Sequence, residues 1–198
     1  MSARASAAAI LSALAVLLVP ARAVDAQVDT VDLGFWGDVH RECLVALEEP
    51  RLEVSAPETY RLLFLPSFKD QQSIRIEVWS NGRGRLRAHR VHRPRCEHGD
   101  VEETTILLSS HDIARVRAAV GALDFWNSPY DDDKATIAAG QEPVTCSDGV
   151  ASLLEGVSAG KYHIIERDCT WTSKFETVVR LFHDLAHAEM PYSALVTD

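Results

Sequence analysis

The amino-acid sequence predicts an α+β fold in two layers, in which an antiparallel sheet of about five or six strands carries two helices on one face, with a short N-terminal helix in addition. Two observations lead to this prediction. Short segments with apolar residues at every second position are separated by turn residues, which is typical of hairpin strands. Two longer segments each carry one apolar stripe at helical spacing, and each follows a hairpin. A helix with one apolar stripe must bury it, and one face of a shared sheet can cover both helices.

The N-terminal half is predicted to contain the short helix and four strands. The helix runs from Asp38, which can cap a helix, to Leu47, and Pro50 stops it. The strands are expected at residues 60–65, 74–79, 83–91 and 104–108. Between the second and third strands, Asn81-Gly82 can adopt the positive φ that a tight hairpin turn requires.

The predicted elements show the same order twice, because the hairpin over residues 74–91 precedes the first long helix and a second hairpin, over residues 150–167, precedes the last one. The first long helix is predicted from Ser110 to Leu123, and the last one from Ser173 to Glu189. Between them, strands at 150–155 and 161–167 form a hairpin closed by a four-residue loop.

Length and composition describe one ordinary globular domain. The chain has 198 residues, of which 46% are hydrophobic and 25% charged, too apolar a composition for a disordered protein. The net charge of −9 argues against a nucleic-acid partner, because such partners need a basic surface. An acidic protein instead attracts cationic partners, so a basic protein is one partner that we expect.

Residues 1–26 are predicted to be a secretory signal peptide, and residues 27–198 a single domain. Arg4 precedes an uncharged apolar run, and two small-residue cleavage sites end at Ala23 and Ala26. Cleavage after Ala26 is favoured, and cleavage after Ala23 stays open. A helix needs about 20 apolar residues to span a bilayer, and this run is shorter. We therefore expect no membrane span after cleavage and a periplasmic or secreted protein.

Four cysteines fit such an oxidising compartment, since an even number in an exported chain favours two disulfides. If the four-residue loop 156–159 closes the last hairpin, the register places Cys146 opposite Cys169, within disulfide reach. Cys43 then pairs with Cys96 by elimination. A zinc site is the alternative, but the sequence lacks the C-x-x-C spacing of structural zinc sites.

Several short motifs resemble an uncharacterised family of exported or membrane-tethered bacterial proteins. The motifs are Asp124-Phe125-Trp126, Asp148-Gly149, Leu154-Glu155-Gly156, Gly160-x-Tyr162-His163 and Tyr60-Arg61-x-x-x-Leu65-x-x-Phe68. The similarity covers residues 60–185 and implies a shared fold. The family has no established activity, so the resemblance implies no catalytic residues. This chain has Ser152 where the family pattern has tryptophan.

The candidate metal ligands are His183 and His187, which lie four residues apart on the last predicted helix. This spacing places two imidazoles on one helix face, and zinc hydrolases use it with a glutamate in between. Here Asp184 takes the place of that glutamate, Arg180 lies one turn before the pair, and no third ligand stands out. A solvent-exposed helix face is therefore the favoured interpretation, and no cofactor is predicted.

The candidate anion-binding residues lie on the third predicted strand. Arg85, Arg87 and His89 point to one side of that strand, with apolar residues pointing to the other. Guanidinium groups bind phosphate and carboxylate oxygens in bidentate fashion, so this row predicts an anionic ligand. The alternative is a solvent-exposed row that the protein's own acidic residues, such as those at 131–133, balance.

No nucleophile with a neighbouring base and no complete set of metal ligands is evident in the sequence. His163 is expected to have a structural role, with one hydrogen bond to a neighbour such as Ser152. The sequence therefore predicts a non-catalytic binding or interaction module, whose partner is a basic protein or an anionic ligand. A metal-dependent hydrolase that uses His183 and His187 is the alternative.

Overall fold

The predicted α+β fold is confirmed by a computed structural model, which describes residues 34–92, 96–130, 149–168, 170–188 and 195–196. The strands of the main sheet are β1 (Thr59–Pro66), β2 (Gln71–Val78), β3 (Gly84–Val91), β4 (Val101–Leu108), β5 (Val150–Ser158) and β6 (Lys161–Asp168). They form one antiparallel sheet in the order β4-β3-β2-β1-β5-β6. The predicted signal peptide, residues 1–26, lies outside the described residues.

Among the described residues, three α-helices accompany this sheet. They are α1 (Gly34–Ala46), α2 (Ser110–Ala122) and α3 (Ser173–Ala186), and a single 3₁₀ turn, Phe125–Asn127, follows α2. A short parallel pair joins β7 (Thr170–Trp171) to β8 (Leu195–Val196). Within the described ranges, no helix has the length and apolar character needed to cross a bilayer.

Side-chain caps determine where α2 and α3 begin. Ser109 and Asp112 form a capping box, in which each side chain accepts a hydrogen bond from the other residue's backbone N–H. At the start of α3, the Thr172 hydroxyl accepts from the backbone N–H of Phe175. The helix ends at Ala186, before the predicted end at residue 189, because the next residue, His187, adopts a left-handed conformation (φ 50°, ψ 30°).

The start predicted for α1 is wrong. The helix already includes Gly34, so Asp38 lies inside it and forms an ion pair with Arg41 at 3.0 Å instead of capping it.

The two faces of the sheet are buried by different helices. The face that carries Leu62 and Phe64 of β1 packs against α2 and α3 in one apolar core. The opposite face, which carries Leu63 and Leu65, packs against Leu44 and other residues of α1. The two long helices thus share one face, as predicted, and α1 covers part of the other.

The predicted disulfide between Cys43 of α1 and Cys96 is present. It links α1 to the connection between β3 and β4. A structural disulfide is typical of an oxidising compartment outside the cytosol, which fits the predicted export.

The register of the β5–β6 hairpin differs from the predicted one. Ser158 faces Lys161, so Ala159 and Gly160 alone form the turn, both at positive φ (50° and 76°). The predicted four-residue loop 156–159, and the register that placed Cys146 opposite Cys169, are therefore wrong. These two cysteines themselves lie outside the described residues.

Candidate functional site

Charged side chains form a row across the middle of the sheet, on the face that α1 covers in part. Cross-strand pairing places Thr105, Arg87, Arg75, Arg61 and Glu155 side by side, on β4, β3, β2, β1 and β5 respectively. Three arginines thus occupy adjacent central strands. Arg61 and Arg75 are buried, although β2 alternates apolar and polar residues as a strand with one solvent-facing side does. We call these five residues the polar row.

Glu155 lies at one end of the polar row and is fully buried. One carboxylate oxygen contacts the Arg61 guanidinium, and the other contacts the His40 imidazole of α1. Burial raises the pKa of Glu155, but the charges of Arg61 and His40 outweigh burial and hold it below its ordinary value of 4.5. Burial and the nearby Glu155 charge raise the pKa of Tyr162, so its hydroxyl keeps its proton.

Glu49, in the loop after α1, is the second buried acid beside the polar row. Its carboxylate lies 3.1 Å from Arg75 and 3.4 Å from Arg61. Arg61 also donates a hydrogen bond to the carbonyl of Pro50 in the same loop. The loop after α1 is therefore held onto the central strands by charge-assisted contacts, which are stronger than neutral hydrogen bonds.

Two of the three predicted anion-binding residues already have partners within the protein. Arg85 donates to the Glu77 carboxylate at 2.6 Å. His89 is buried, donates from Nδ1 to the Leu47 carbonyl at 2.6 Å, and lies 3.6 Å from Glu49. The sequence correctly placed Arg85, Arg87 and His89 on one face, but His89 supports the loop after α1 instead of facing a ligand.

Arg87 differs from its neighbours in the polar row. In the part of the chain that the structure describes, no carboxylate lies within 4.0 Å of its guanidinium. The nearby arginines each have a carboxylate partner. Arg61 and Arg75 contact Glu49, and Arg85 contacts Glu77. Arg87 is therefore the arginine of this group without a carboxylate partner among the described residues. The acidic residues at 131–133, which the sequence offered as partners, lie outside the described ranges.

The corner of the sheet face beside Arg87 is open to solvent. Leu107 of β4, which faces Arg85 across the strands, is 65% exposed. Thr105, next to Arg87 in the polar row, is also exposed. This open corner, Arg85, Arg87, Thr105 and Leu107, combines a half-buried cation with an apolar and a hydroxyl group, so it can hold an anionic group and contact the apolar part of a ligand.

The two candidate metal ligands lie in different environments. His183 is buried, donates from Nδ1 to the Val179 carbonyl at 3.0 Å, and its ring meets Phe64 edge-on at 5.1 Å. Burial lowers the pKa of His183 below its ordinary value of 6.5. His187 is exposed, and its left-handed backbone ends the helical spacing that would align the two rings. The solvent-exposed face expected for this pair is thus wrong for His183.

Among the described residues, no three side chains of His, Cys, Asp or Glu lie close enough together to hold a metal ion.

Several of the motifs that carry the family resemblance meet around Phe125. Its ring centroid lies 4.9 Å from that of Trp126, 5.0 Å from that of His163 and 6.4 Å from that of Tyr60. Gly156 lies so close that a Cβ there would be 2.7 Å from a Phe125 ring carbon. These residues pack the 3₁₀ turn after α2 onto the sheet, which is a structural role.

His163 stabilises the same turn by a hydrogen bond. Its Nε2 donates to the carbonyl of Ser128 at 2.9 Å, whereas the sequence suggested a neighbour such as Ser152. The structural role predicted for His163 stands, with a different partner.

Sequence reasoning missed the buried ion pairs of Glu49, Arg61 and Glu155. Arg61 and Glu155 both belong to the motifs that carry the family resemblance. Their place in those motifs was the signal that could have drawn attention to them. A charged residue in a strand usually faces solvent, and only the pairing of β1 with β5 brings Arg61 and Glu155 together.

Comparisons with protein-family profiles and with curated protein sequences find no significant match for this chain. The function therefore has to be inferred from the geometry of the site.

Proposed function

We propose that this protein is an exported, non-catalytic binding module that recognises an anionic group, a carboxylate or a phosphate, at Arg87. One observation carries the proposal: Arg87 is half-buried and has no acidic partner among the described residues. A partly desolvated charge without a counter-ion costs free energy. An anion that binds there offsets this cost, and the reduced local dielectric strengthens the contact.

The rest of the polar row favours one anionic group at this place. Arg75 and Arg61 are held by Glu49 and Glu155, so they keep their positions when a ligand binds. Arg87 is left as the arginine of the polar row without a carboxylate partner among the described residues. The geometry therefore supports recognition of a single anionic group, oriented by a fixed guanidinium.

The buried groups support binding rather than catalysis. Glu155 and Glu49 are ion-paired and shielded from solvent, and Tyr162 holds its proton tightly. A general acid or base needs to exchange a proton near the operating pH and to reach its substrate. These three groups fit a structural role, in which they position the arginines.

Export to the periplasm or the medium is part of the proposal. The predicted signal peptide at residues 1–26 supports it, and so does the Cys43–Cys96 disulfide. The resemblance of the motifs to exported bacterial proteins points the same way.

Calorimetric titration with citrate, and separately with phosphate, at constant ionic strength tests the proposal. We expect the wild type to bind, and Arg87→Gln to bind about tenfold more weakly or not at all, because a charged hydrogen-bond partner is lost. Arg83→Gln is the matched control, since it removes the same charge from an exposed turn residue and should bind like the wild type. Equal affinities of the wild type and Arg87→Gln would contradict the proposal.

A further inference from the structure

β4 is an edge strand whose outer side pairs with no other strand in the described part of the chain. Seven of its eight residues are exposed or half-exposed, and it contains no proline. An edge of this kind presents unpaired backbone N–H and C=O groups to another strand. It also borders the open corner, because Thr105 and Leu107 belong to both.

We propose that the carboxylate bound by Arg87 belongs to Glu103 of a second copy of this chain, and that two copies pair antiparallel along β4 into one continuous sheet. This inference rests on the proposed function, because it takes Arg87 as the residue that binds the anionic group. It names the partner as the protein itself.

The sequence of β4 is complementary to itself in one register. With Thr104 on the two-fold axis, antiparallel pairing places the partner's Glu103 opposite Thr105 and the partner's Val101 opposite Leu107. Thr105 faces Arg87 of β3. The partner's Glu103, Thr105 and Arg87 therefore lie side by side on three neighbouring strands. Two strand spacings of about 4.8 Å separate the backbones of the glutamate and the arginine. In the single chain Glu103 accepts a hydrogen bond from Thr105 at 3.3 Å and lies 3.9 Å from His89. When Glu103 leaves these exposed and long contacts, the glutamate and arginine side chains can bridge the two strand spacings over the short threonine.

Neighbouring registers are less favourable. With Glu103 on the axis, two glutamates stand directly opposite each other, which is destabilising. With Thr105 on the axis, the partner's Glu103 faces Leu107 and lies in the row of Arg85, which Glu77 already pairs. The register centred on Thr104 is the one that brings a carboxylate to Arg87.

The pairing also covers exposed apolar surface and closes the β4 edge of both copies. Leu107, 65% exposed in the single chain, meets the partner's Val101. The contact is isologous, so each Arg87 receives the other copy's Glu103, and the assembly stops at two chains.

Sedimentation velocity across a range of protein concentrations tests this assembly. We expect the wild type to dimerise, and Arg87→Glu and Glu103→Arg each to raise the dissociation constant at least tenfold. The double variant Arg87→Glu/Glu103→Arg, in which the pair is reversed, should restore dimerisation. Glu42→Arg, at an exposed position on α1, has the same charge change as Glu103→Arg and should dimerise like the wild type.

A second variant separates this inference from the proposed function. Thr104→Lys places two lysines opposite each other on the two-fold axis, so it should be monomeric and should bind citrate at Arg87 more tightly than the dimeric wild type, in which the partner's Glu103 competes for the guanidinium. A wild type that is monomeric at all concentrations, a dimer that survives Thr104→Lys, or a double variant that stays monomeric would overturn the inference. If Thr104→Lys binds citrate in any of these cases, the proposed function stands. If it fails to bind citrate, the proposed function falls too.

Discussion

Arg61 and Glu155 place two opposite charges where neither side chain meets water. Desolvation of each ion is costly, and their mutual attraction with the contacts to Glu49 and His40 offsets it. Removal of one partner leaves the other as an uncompensated buried charge. These residues therefore determine whether the sheet folds with α1 in place.

Arg61→Met is expected to lower the free energy of unfolding by about 3–5 kcal/mol, because it leaves Glu155 buried without its main counter-ion. Urea denaturation measures this change. Arg180→Met is the matched control: Arg180 forms an exposed pair with Glu176 on α3, and its loss should cost less than about 1 kcal/mol. Similar losses of unfolding free energy in both variants would show that the buried pair contributes no more to stability than the exposed pair does.

His183 gives the core a dependence on pH. Burial lowers its pKa below 6.5, so the folded protein binds its proton less tightly than the unfolded chain does. The stability that the neutral ring contributes is complete above pH 6.5, the ordinary pKa, and is lost as the pH falls toward the lowered pKa.

The melting temperature should accordingly fall as the pH is lowered from about 7 to 5, the range in which histidine titrates, and His183→Phe should flatten that fall. His98→Phe, at an exposed histidine, should keep the wild-type slope. Parallel slopes in all three proteins would mean that His183 is not the group responsible.

Single residues were predictable by face but not by burial. The period-two alternation correctly grouped Arg85, Arg87 and His89. It did not show that Arg75 and His89 are buried, because their cover is supplied by the loop after α1, more than twenty residues away in sequence. Alternation reports which side a residue faces, and burial depends on what packs there.

At the scale of elements, the β5–β6 hairpin shows what local patterns miss. The predicted loop 156–159 begins with a glycine, which is typical of a turn. In the structure Gly156 is a strand residue, because Phe125 lies directly against it, and Ala159 adopts the positive φ. Contacts with distant elements, including the pairing of Glu155 with Arg61, select the register over local turn preference.

Gly156→Ala should lower the free energy of unfolding by about 1–3 kcal/mol, because the added methyl group overlaps the Phe125 ring. Gly121→Ala is its counterpart in α2, where a Cβ meets nothing within 4 Å. That change should raise stability by about 0.5–1 kcal/mol, since glycine disfavours helix interiors. Thermal and urea unfolding of the two variants test both signs, and destabilisation by both would contradict the close packing at Gly156.

For the whole molecule, the sequence predicted the layers but not the strand order. Apolar stripes and alternation predicted one sheet with α2 and α3 on one face, because those patterns are local. They do not show that the chain returns after α2 to place β5 beside β1. That return brings Glu155 to Arg61, while Arg87, two strands away, is left beside the open edge.

Arg87 is the residue on which the proposed anion binding by the whole molecule depends. Proton–nitrogen correlation spectra of the arginine Nε–H groups follow each guanidinium separately while citrate is titrated into the Thr104→Lys variant. We expect the Arg87 signal to shift in a saturable manner while the signals of Arg61 and Arg75 stay in place. A titration that leaves Arg87 unchanged, or that shifts all three signals equally, would contradict the account.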